Sequence, residues 1–487
     1  MPAMTPPPPP PASMTSVVAA EVRAQRGIAL PLMGMNLTWF AKLAVTTAFL
    51  GRLGDLELAA GTLGYSFANV TGFAVLSGLC GAMEPICGQA HGAGNVALLR
   101  RTLVMATAML LAASVPIALL WMRGVDAVLL RFLGQQQADM AAAARTYVLW
   151  LLPDLAVTSF LNPLKAYLSA QEVTLPTLFA AAMGLALHIP LTMCLSARMG
   201  IRGVAAAVWI SDLAVALMLA AYVLLAQELR LRLRSAAAGS GLPGVRWQTA
   251  AGDLLRLAVP CCLNTCLEWW SYEILVLLTG RLPDARRAVA VVAVTLNFDY
   301  LLFAAMLSLS VSASVRVSNE LGAGDAAVAR RAARVSIAGG AVAGVAGGLV
   351  MLAARRPWAR MYSRSPEVRD GVGKAMEVMA LLEVLNFPLN VCGGIVRGTA
   401  RPLLGMYAVV AGFYVVALPV GVALGFKARL GLRGLLAGFL VGAAASLAVL
   451  VTVIVCMDWT AEADKALRRA AGNGNDDKDC GNAVIPA

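Results

Sequence analysis

Apolar runs of about 20 residues, the length a membrane-crossing helix needs, recur along the whole chain. In the first half they begin near Ile28, Leu58, Leu98, Ala141, Val173 and Val204, and in the second near Leu254, Ala288, Val335, Val372, Leu403 and Leu435. Six and six predict twelve helices. An even number per half returns the chain to its starting side, so the halves are expected to be parallel repeats about an axis along the membrane normal. The pattern predicts an all-α polytopic membrane protein of two six-helix bundles, over residues 28–228 and 253–457. Between them, LRLRSAAAGSGLPGVRW reads as a connector, placed at 229–252.

The sequence repeats itself at the same interval. GAGNVALLRR (Gly92 to Arg101) returns as GAGDAAVARR (Gly322 to Arg331), and ARMGIRG (Ala197 to Gly203) returns as ARLGLRG (Ala428 to Gly434). Pro31, Gly51, Arg52, Leu53 and Asp55 find Pro260, Gly280, Arg281, Leu282 and Asp284. Matches this far apart at a nearly constant offset are the mark of an internal duplication.

Composition agrees with the pattern: 59% of residues are hydrophobic and 14% charged, against about 25% charged in soluble domains. The net charge of +12 is scattered singly or in pairs between apolar runs, which suits contact with anionic lipid and argues against nucleic acid. Basic residues balance across the loops, so the positive-inside rule gives no orientation. The Pro-rich opening, residues 1–27, and the mixed-charge end, residues 458–487, are expected to be disordered tails. No cleavable signal peptide is visible. The cysteines have no metal or redox spacing and read as small hydrophobes.

No GxxxxGK[ST] phosphate loop occurs, so ATP is not expected to drive this chain. With His91 and His188 as its histidines, it offers no zinc site and no histidine triad, and neither an enzyme nor a cofactor is expected. Gly339 to Gly348 is expected to serve close helix packing. What remains is a set of ionisable residues inside apolar runs: Lys42, Asp154, Asp212, Glu268, Glu273, Asp299, Glu377 and Glu383. Each costs about 2.5 to 3.5 kcal/mol at a helix centre. The functional explanation is an ion or substrate path; the structural one is a boundary carboxylate that snorkels or pairs, and Asp212 and Glu377 fall toward it.

Glu268, in VPCCLNTCLEWWSYEILVLLTG, has apolar sequence on both sides and is the first candidate for proton exchange. Glu273 lies about 140° around the same helix, so at most one of the two lines a given wall. Trp269 and Trp270 offer an aromatic wall for flat or cationic solutes, of which one is expected to serve; Trp269, Tyr272 and Asn390 are the cavity candidates. Glu383 and Asn386 are three residues apart and share a helix face. Pro388 breaks the helical hydrogen-bond pattern there, and Pro31 and Pro260 are the corresponding kink candidates. At the repeat offset Glu383 falls opposite Asp154, so each bundle is expected to carry one buried carboxylate at matching positions. Trp39 stands where Glu268 stands in the second half.

MEPICGQAHGAG (Met83 to Gly94), CLEWWSYEILVLLTGRLP (Cys266 to Pro283), RVSNELGAG (Arg316 to Gly324) and GGIVRGTARP (Gly393 to Pro402) resemble plant MATE transporters, the multidrug and toxic compound extrusion or detoxification family. The resemblance covers roughly residues 20 to 460. It implies a V-shaped pair of six-helix bundles and export of organic solutes in exchange for protons, from a vacuolar, endosomal, Golgi or plasma membrane. Glu268 matches the family's helix-seven glutamate, implicated in proton coupling and substrate binding. On helix ten, where many plant members carry an aspartate, this chain has Asn386, with Glu383 one turn earlier as a shifted replacement. The expected coupling and substrate group is therefore Glu268, Glu383, Asn386, Asp299 and Asp154. A flippase for a lipid-linked substrate, a channel and a transporter-derived sensor are the alternatives. The flippase would call for a basic cavity, whereas the deep charges here are mostly acidic.

Overall fold

The computed structural model describes residues 14–133, 138–227 and 247–471, and helices account for nearly all of them. In the first half they are α1 (Met14–Leu53), α2 (Asp55–Gly92), α3 (Val96–Leu133), α4 (Ala138–Ala170), α5 (Leu175–Met199) and α6 (Ile201–Ala226). The second half has α7 (Trp247–Thr279), α8 (Ala285–Gly322), α9 (Ala326–Tyr362), α10 (Pro366–Gly398), α11 (Pro402–Lys427) and α12 (Leu432–Val455). A short α13 (Trp459–Ala471) follows.

Among the described residues, eleven helices are long and apolar enough to cross a membrane. α7 is equally long but is diluted by Asp253, Arg256, Glu268 and Glu273; it packs against α2, α3 and α11 as the twelfth. Large apolar side chains such as Phe179, Met183, Leu225, Val342 and Leu349 point outward, more than 45% exposed, which is the surface a lipid environment covers.

Three expected boundaries need correction. The chain is already helical at Met14, well ahead of residue 28, because MTSVVAAEVRAQRG is free of proline and continues the α1 pattern. α7 begins at Trp247, inside the expected connector. The expected C-terminal tail contains α13, capped by Asp458, whose Oδ1 accepts from the backbone N–H groups of Thr460 and Ala461 at 3.0 and 3.2 Å. The rest of the expected tails and connector lies outside the described residues.

The duplication is written into the backbone. Gly94 and Gly324, in the two GAG loops, have φ of 72° and 80°; Gly200 and Gly431, in the ARMGIRG and ARLGLRG turns, have φ of 59° and 60°. There are two apolar cores, one of first-half residues from Leu50 to Val223 joined by Leu254 and Ala258 at the start of α7, and one from Leu275 to Ala466. A small patch of Ile28 and Leu32 against Val315 joins α1 to α8.

The halves meet most tightly at one end, where α2 and α8 finish. A methyl group on Gly92 would overlap the Asn319 carbonyl, and one on Gly322 would overlap the Gln89 carbonyl. The recurring glycines therefore bring two helix ends into backbone contact. Arg316 of α8 clamps the same end, pairing with Glu21 of α1 and with Glu172 after α4, each at 3.0 Å, and with Glu320 at 2.7 Å. α13 lies across it. Asn95 Nδ2 donates to the Ala470 carbonyl at 2.8 Å, Arg469 donates to Gln89 Oε1 at 2.6 Å, and Glu462 pairs with Arg401. This is the closed end of the molecule.

Candidate functional site

A narrow slot with a cavity volume of about 30 Å³ lies among α7, α8, α10 and α11. Its polar lining includes Glu268, Asp299, Asn386 and Asn390, and among the described residues no lysine or arginine lines it. Its walls are largely aromatic. Trp269 stacks on Tyr300 with centroids 6.3 Å apart and meets Phe303 edge-on at 5.5 Å, and Tyr272 closes the floor against Phe439 at 5.8 Å. The first bundle reaches this wall through Phe40, stacked on Tyr300 at 6.0 Å, and through Asn36, which donates to Ser308 Oγ at 2.9 Å.

Periodicity decides which candidates arrive. Glu268 and Tyr272 are one helical turn apart on α7, and Trp269 sits beside them; Trp270, 39% exposed, points away. Glu273 also leaves the slot and meets Ser66 of α2. On α10, Asn386 and Asn390 share a face; Asn386 Nδ2 donates to Tyr272 Oη at 3.4 Å and Asn390 Nδ2 to the Asn386 carbonyl at 3.2 Å.

Glu383 sits behind the slot rather than in it, with 0% exposure. Its carboxyl lies against that of Asp299, and neither Glu383 oxygen, nor Asp299 Oδ1, accepts a hydrogen bond from a donor group. One proton shared between two such carboxyls would supply the missing hydrogen bond. α9 brings this about: a Cβ on Gly344 would stand 3.0 Å from the Glu383 carbonyl, and Gly340 and Gly348 touch the same stretch of α10. The Gly339 to Gly348 run thus serves close packing, as its composition suggested.

Asp154 does not join this site. It is buried in the first bundle at 4% exposure with Oδ1 unpartnered, so the buried carboxylate does recur at the repeat offset, but in a separate polar cluster. There Lys42 pairs with Asp212 at 2.7 Å and donates to the Val208 carbonyl at 3.0 Å. His188 shares hydrogen bonds with Thr46 and Ser211 at 3.0 and 3.2 Å. Asp212 is thereby paired, as is Glu377, on Arg355 at 2.7 Å.

Pro31, Pro260 and Pro388 all lie inside continuous helices. The carbonyl that Pro31 leaves without a partner, that of Gly27, receives the Thr174 hydroxyl at 3.4 Å.

Residues 31–194 and 260–423 each match the MatE family. The chain is 50% identical to Protein DETOXIFICATION 56 of Arabidopsis thaliana over 454 residues, 93% of this chain and 91% of that protein. The chain belongs to the MATE family of transporters. Protein DETOXIFICATION 51 of Arabidopsis thaliana is 37% identical, over 92% of this chain and 82% of that one. The crystal structure of the eukaryotic MATE transporter AtDTX14 superposes with a TM-score of 0.85 at 28% identity, covering 93% of this chain and all of that one. The molecule is thus a multi-pass membrane transporter of the multidrug and toxic compound extrusion family, not an enzyme.

In this MATE chain the two matched stretches are the two bundles' repeats, and the slot belongs to the second. Sequence reasoning missed Tyr300, Phe303, Met306 and Phe413. The spacing of Asp299, Phe303 and Met306, by four and three residues, marks one face of α8 and was the available signal. Phe413 had none. Glu84 and Arg397, which pair at 2.7 Å, were inside the quoted motifs, but nothing in the sequence brings α2 to α10.

Proposed function

We propose that this transporter is a proton-coupled antiporter that exports organic solutes, flat and cationic or amphipathic, by alternating access. The observation that carries the reading is the slot: two carboxyls, Glu268 and Asp299, within aromatic walls, a third at Glu383 behind them, and, among the described residues, no basic residue on the lining. Aromatic faces and carboxylates together attract organic cations, and a desolvated setting strengthens both contacts.

The partners in this reading are a small organic solute, protons and the bilayer, with no ATP and no nucleic acid. With the slot open to the cytosol, ionised Glu268 holds the solute between Trp269 and Tyr300. When the slot opens to the acidic side, a proton reaches Glu268 and removes that charge. The solute then loses its counter-ion and leaves. The Asp299 and Glu383 pair is a second place to hold a proton, and takes the role that many plant members give to an aspartate at the position of Asn386. The charge of Glu268 is the differential interaction a population shift requires. The helices around Pro260 and Pro388 are the ones that repack.

Flux into proteoliposomes under an imposed pH gradient tests the reading. Gradient-dependent uptake of an organic cation, lost in Glu268→Gln, is the expected result. Solute flux that ignores the gradient indicates a channel, scrambling of a lipid-linked substrate indicates a flippase, and binding without flux indicates a sensor; any of these overturns it.

A further inference from the structure

The last helix is held by both bundles, but not equally. α13 follows α12 after only three residues, 456–458, and most of its length rests on the second bundle. Trp459, Ala463 and Ala466 belong to the apolar core of that half, Glu462 pairs with Arg401, and a Cβ on Gly324 would stand 3.2 Å from Leu467 Cδ1. The last turn reaches across to the first bundle. There Arg469 Nη1 donates to Gln89 Oε1 at 2.6 Å, and Asn95 Nδ2 donates to the Ala470 carbonyl at 2.8 Å.

Both receiving side chains are buried amides. Gln89 and Asn95 are 1% and 3% exposed, and each uses both ends of its amide. Gln89 Nε2 donates to the Gly398 carbonyl of α10 at 3.2 Å while Oε1 takes Arg469, so both bonds leave the first bundle for the second. Asn95 Oδ1 caps α3, accepting from the backbone N–H of Leu98 at 2.9 Å, which turns its NH2 group toward the end of α13. The carbonyls of a last turn lack intrahelical donors and carry the negative end of the helix dipole. The Ala470 carbonyl therefore needs what Asn95 supplies, a buried donor without negative charge.

The duplication isolates that second task. At the place of Asn95 the second half has Asp325, which caps α9 in the same way, its Oδ1 accepting from the backbone N–H of Val328 at 2.9 Å, and which is exposed. Asparagine and aspartate cap a helix about equally well, so capping alone does not call for asparagine in the first half. Contact with α13 does. An ionised aspartate at this position has no hydrogen to donate and sets its charge against the negative end of the helix.

We propose that α13 is a strap carried by the second bundle, and that its last turn latches the closed end, with Asn95 and Gln89 as the catch on the first bundle. Opening this end parts the backbones at Gly92 and Gly322 and must release Arg469 and Ala470 from their two amides. Trp459, Glu462 and Ala466 keep α13 on the second bundle as it does so. The strap sets how often this end opens from outside the slot, in the same way for every occupant and protonation state of the slot. The proposal rests on the bundles parting at this end, as alternating access requires.

Spin labels at Ala97→Cys and Ala327→Cys, exposed positions just after the two GAG loops, report the opening by double electron–electron resonance. Cys194, Cys262, Cys456 and Cys480 are changed to serine beforehand. Near pH 8, well above the ordinary aspartate pKa of about 4, Asn95→Asp is expected to raise the open-to-closed ratio about five- to ten-fold, one buried hydrogen bond lost and a repulsion added. Arg469→Ala is expected to raise it at least as far, because its bond is charge-assisted. Asp325→Asn, the reciprocal exchange, is expected to leave the ratio unchanged. A label at the exposed Asp464→Cys shows which bundle carries the strap: in the open population its distance to Ala327→Cys is expected to stay and its distance to Ala97→Cys to lengthen. An unchanged ratio in Asn95→Asp, an equal rise in Asp325→Asn, or α13 departing with the first bundle overturns the proposal. Should Asn95→Asp not fold, Arg469→Ala carries the test, and an unchanged ratio there is equally fatal. A single short distance in every variant, an end that never opens, defeats it as well. Gradient-driven flux is measured separately: its absence with the distances as expected defeats the antiport reading and leaves the strap standing, and normal flux with unchanged ratios does the reverse.

Discussion

Glu268 and Glu273 stand five residues apart on one helix and face different partners: Glu268 enters the slot among Trp269, Tyr300 and Asn390, while Glu273 meets Ser66 across the boundary with the first bundle. The helical step of about 100° per residue places them on different faces, and the fold uses that separation. Glu268→Gln is expected to abolish gradient-driven uptake, a loss of at least about 100-fold in the range assigned to acid–base groups, without reducing yield in a monodisperse state. Glu273→Gln is expected to retain transport within about two- to three-fold, since it gives up one modest hydrogen bond at a half-buried seam. Measuring both variants in the same proteoliposome flux assay decides the point; equal losses would contradict the assignment of the slot to Glu268.

The GAG loops make a second prediction. Gly92 and Gly322 occupy matching places in the two halves and each sits against the other half's backbone, Gly92 on the Asn319 carbonyl and Gly322 on that of Gln89. Alanine at either position overpacks this contact, which costs about 1–3 kcal/mol, and the cost falls on the closed arrangement alone. Gly92→Ala and Gly322→Ala are therefore expected to favour opening at this end rather than general unfolding. Gly339, with nothing near its missing Cβ, is the control, and Gly339→Ala is expected to be neutral or to stabilise by up to about 1 kcal/mol. Distance measurements between the two loops, with thermal denaturation alongside, separate a shifted equilibrium from a weakened fold.

The reach of the sequence follows from the range of each interaction. Apolar runs and the repeat offset are set by the bilayer and by duplication, so helix number and the two-bundle plan could be read directly. Glu268, Trp269 and Tyr272 are close along one helix, and Asn386 and Asn390 along another, so their faces followed from the helical period alone. The pairing of Asp299 with Glu383 and of Arg397 with Glu84 joins helices far apart in sequence, α8 to α10 and α10 to α2, and no local pattern encodes those contacts. Asp154 shows the opposite limit. Its match to Glu383 at the repeat offset was legible and its burial followed, yet its surroundings differ, because Lys42 and Asp212 occupy the neighbourhood in the first bundle. Helix α13 was missed for a compositional reason: thirteen residues of mixed charge resemble a tail until Trp459, Ala463, Ala466 and Ala470 are seen to face the bundles.

The capping of α13 has a pH signature. Asp458 accepts from the Thr460 hydroxyl at 2.6 Å and from the backbone N–H groups of Thr460 and Ala461; these bonds, that to Thr460 foremost, hold its carboxyl below the usual carboxylate range. A depressed folded-state value means the cap contributes fully above the ordinary aspartate pKa of about 4 and is lost as pH falls through the lowered value. Hydrogen exchange of the first-turn amides of α13 is expected to be pH-independent in protection near neutrality and to lose protection below about pH 4. Asp458→Ala is expected to show the unprotected behaviour at every pH. A wild-type profile matching that of the variant would show that the cap does not hold the helix.

Lys42 and Asp212 supply the strongest stability prediction, because they pair directly inside a membrane-spanning bundle, with Lys165 and Asp154 as the further charges of the cluster. Their 2.7 Å contact has side-chain exposures of 11% and 25%, and Lys42 is further anchored on the Val208 carbonyl. Removing one member of a buried pair costs about 3–5 kcal/mol, chiefly because the remaining charge is left without compensation; with Asp212 partly exposed, the lower end of that range is expected. Lys42→Met should therefore lower the melting temperature and yield of the purified protein markedly, with Asp212→Asn doing less, since Lys42 retains its carbonyl. The double change Lys42→Met with Asp212→Asn removes both charges together and is expected to recover most of the loss. Recovery of transport along with stability would place this pair in the scaffold of the first bundle. Restored folding with transport still absent would instead make it a second working site, and would end the view that the chemistry of the cycle is confined to the second bundle.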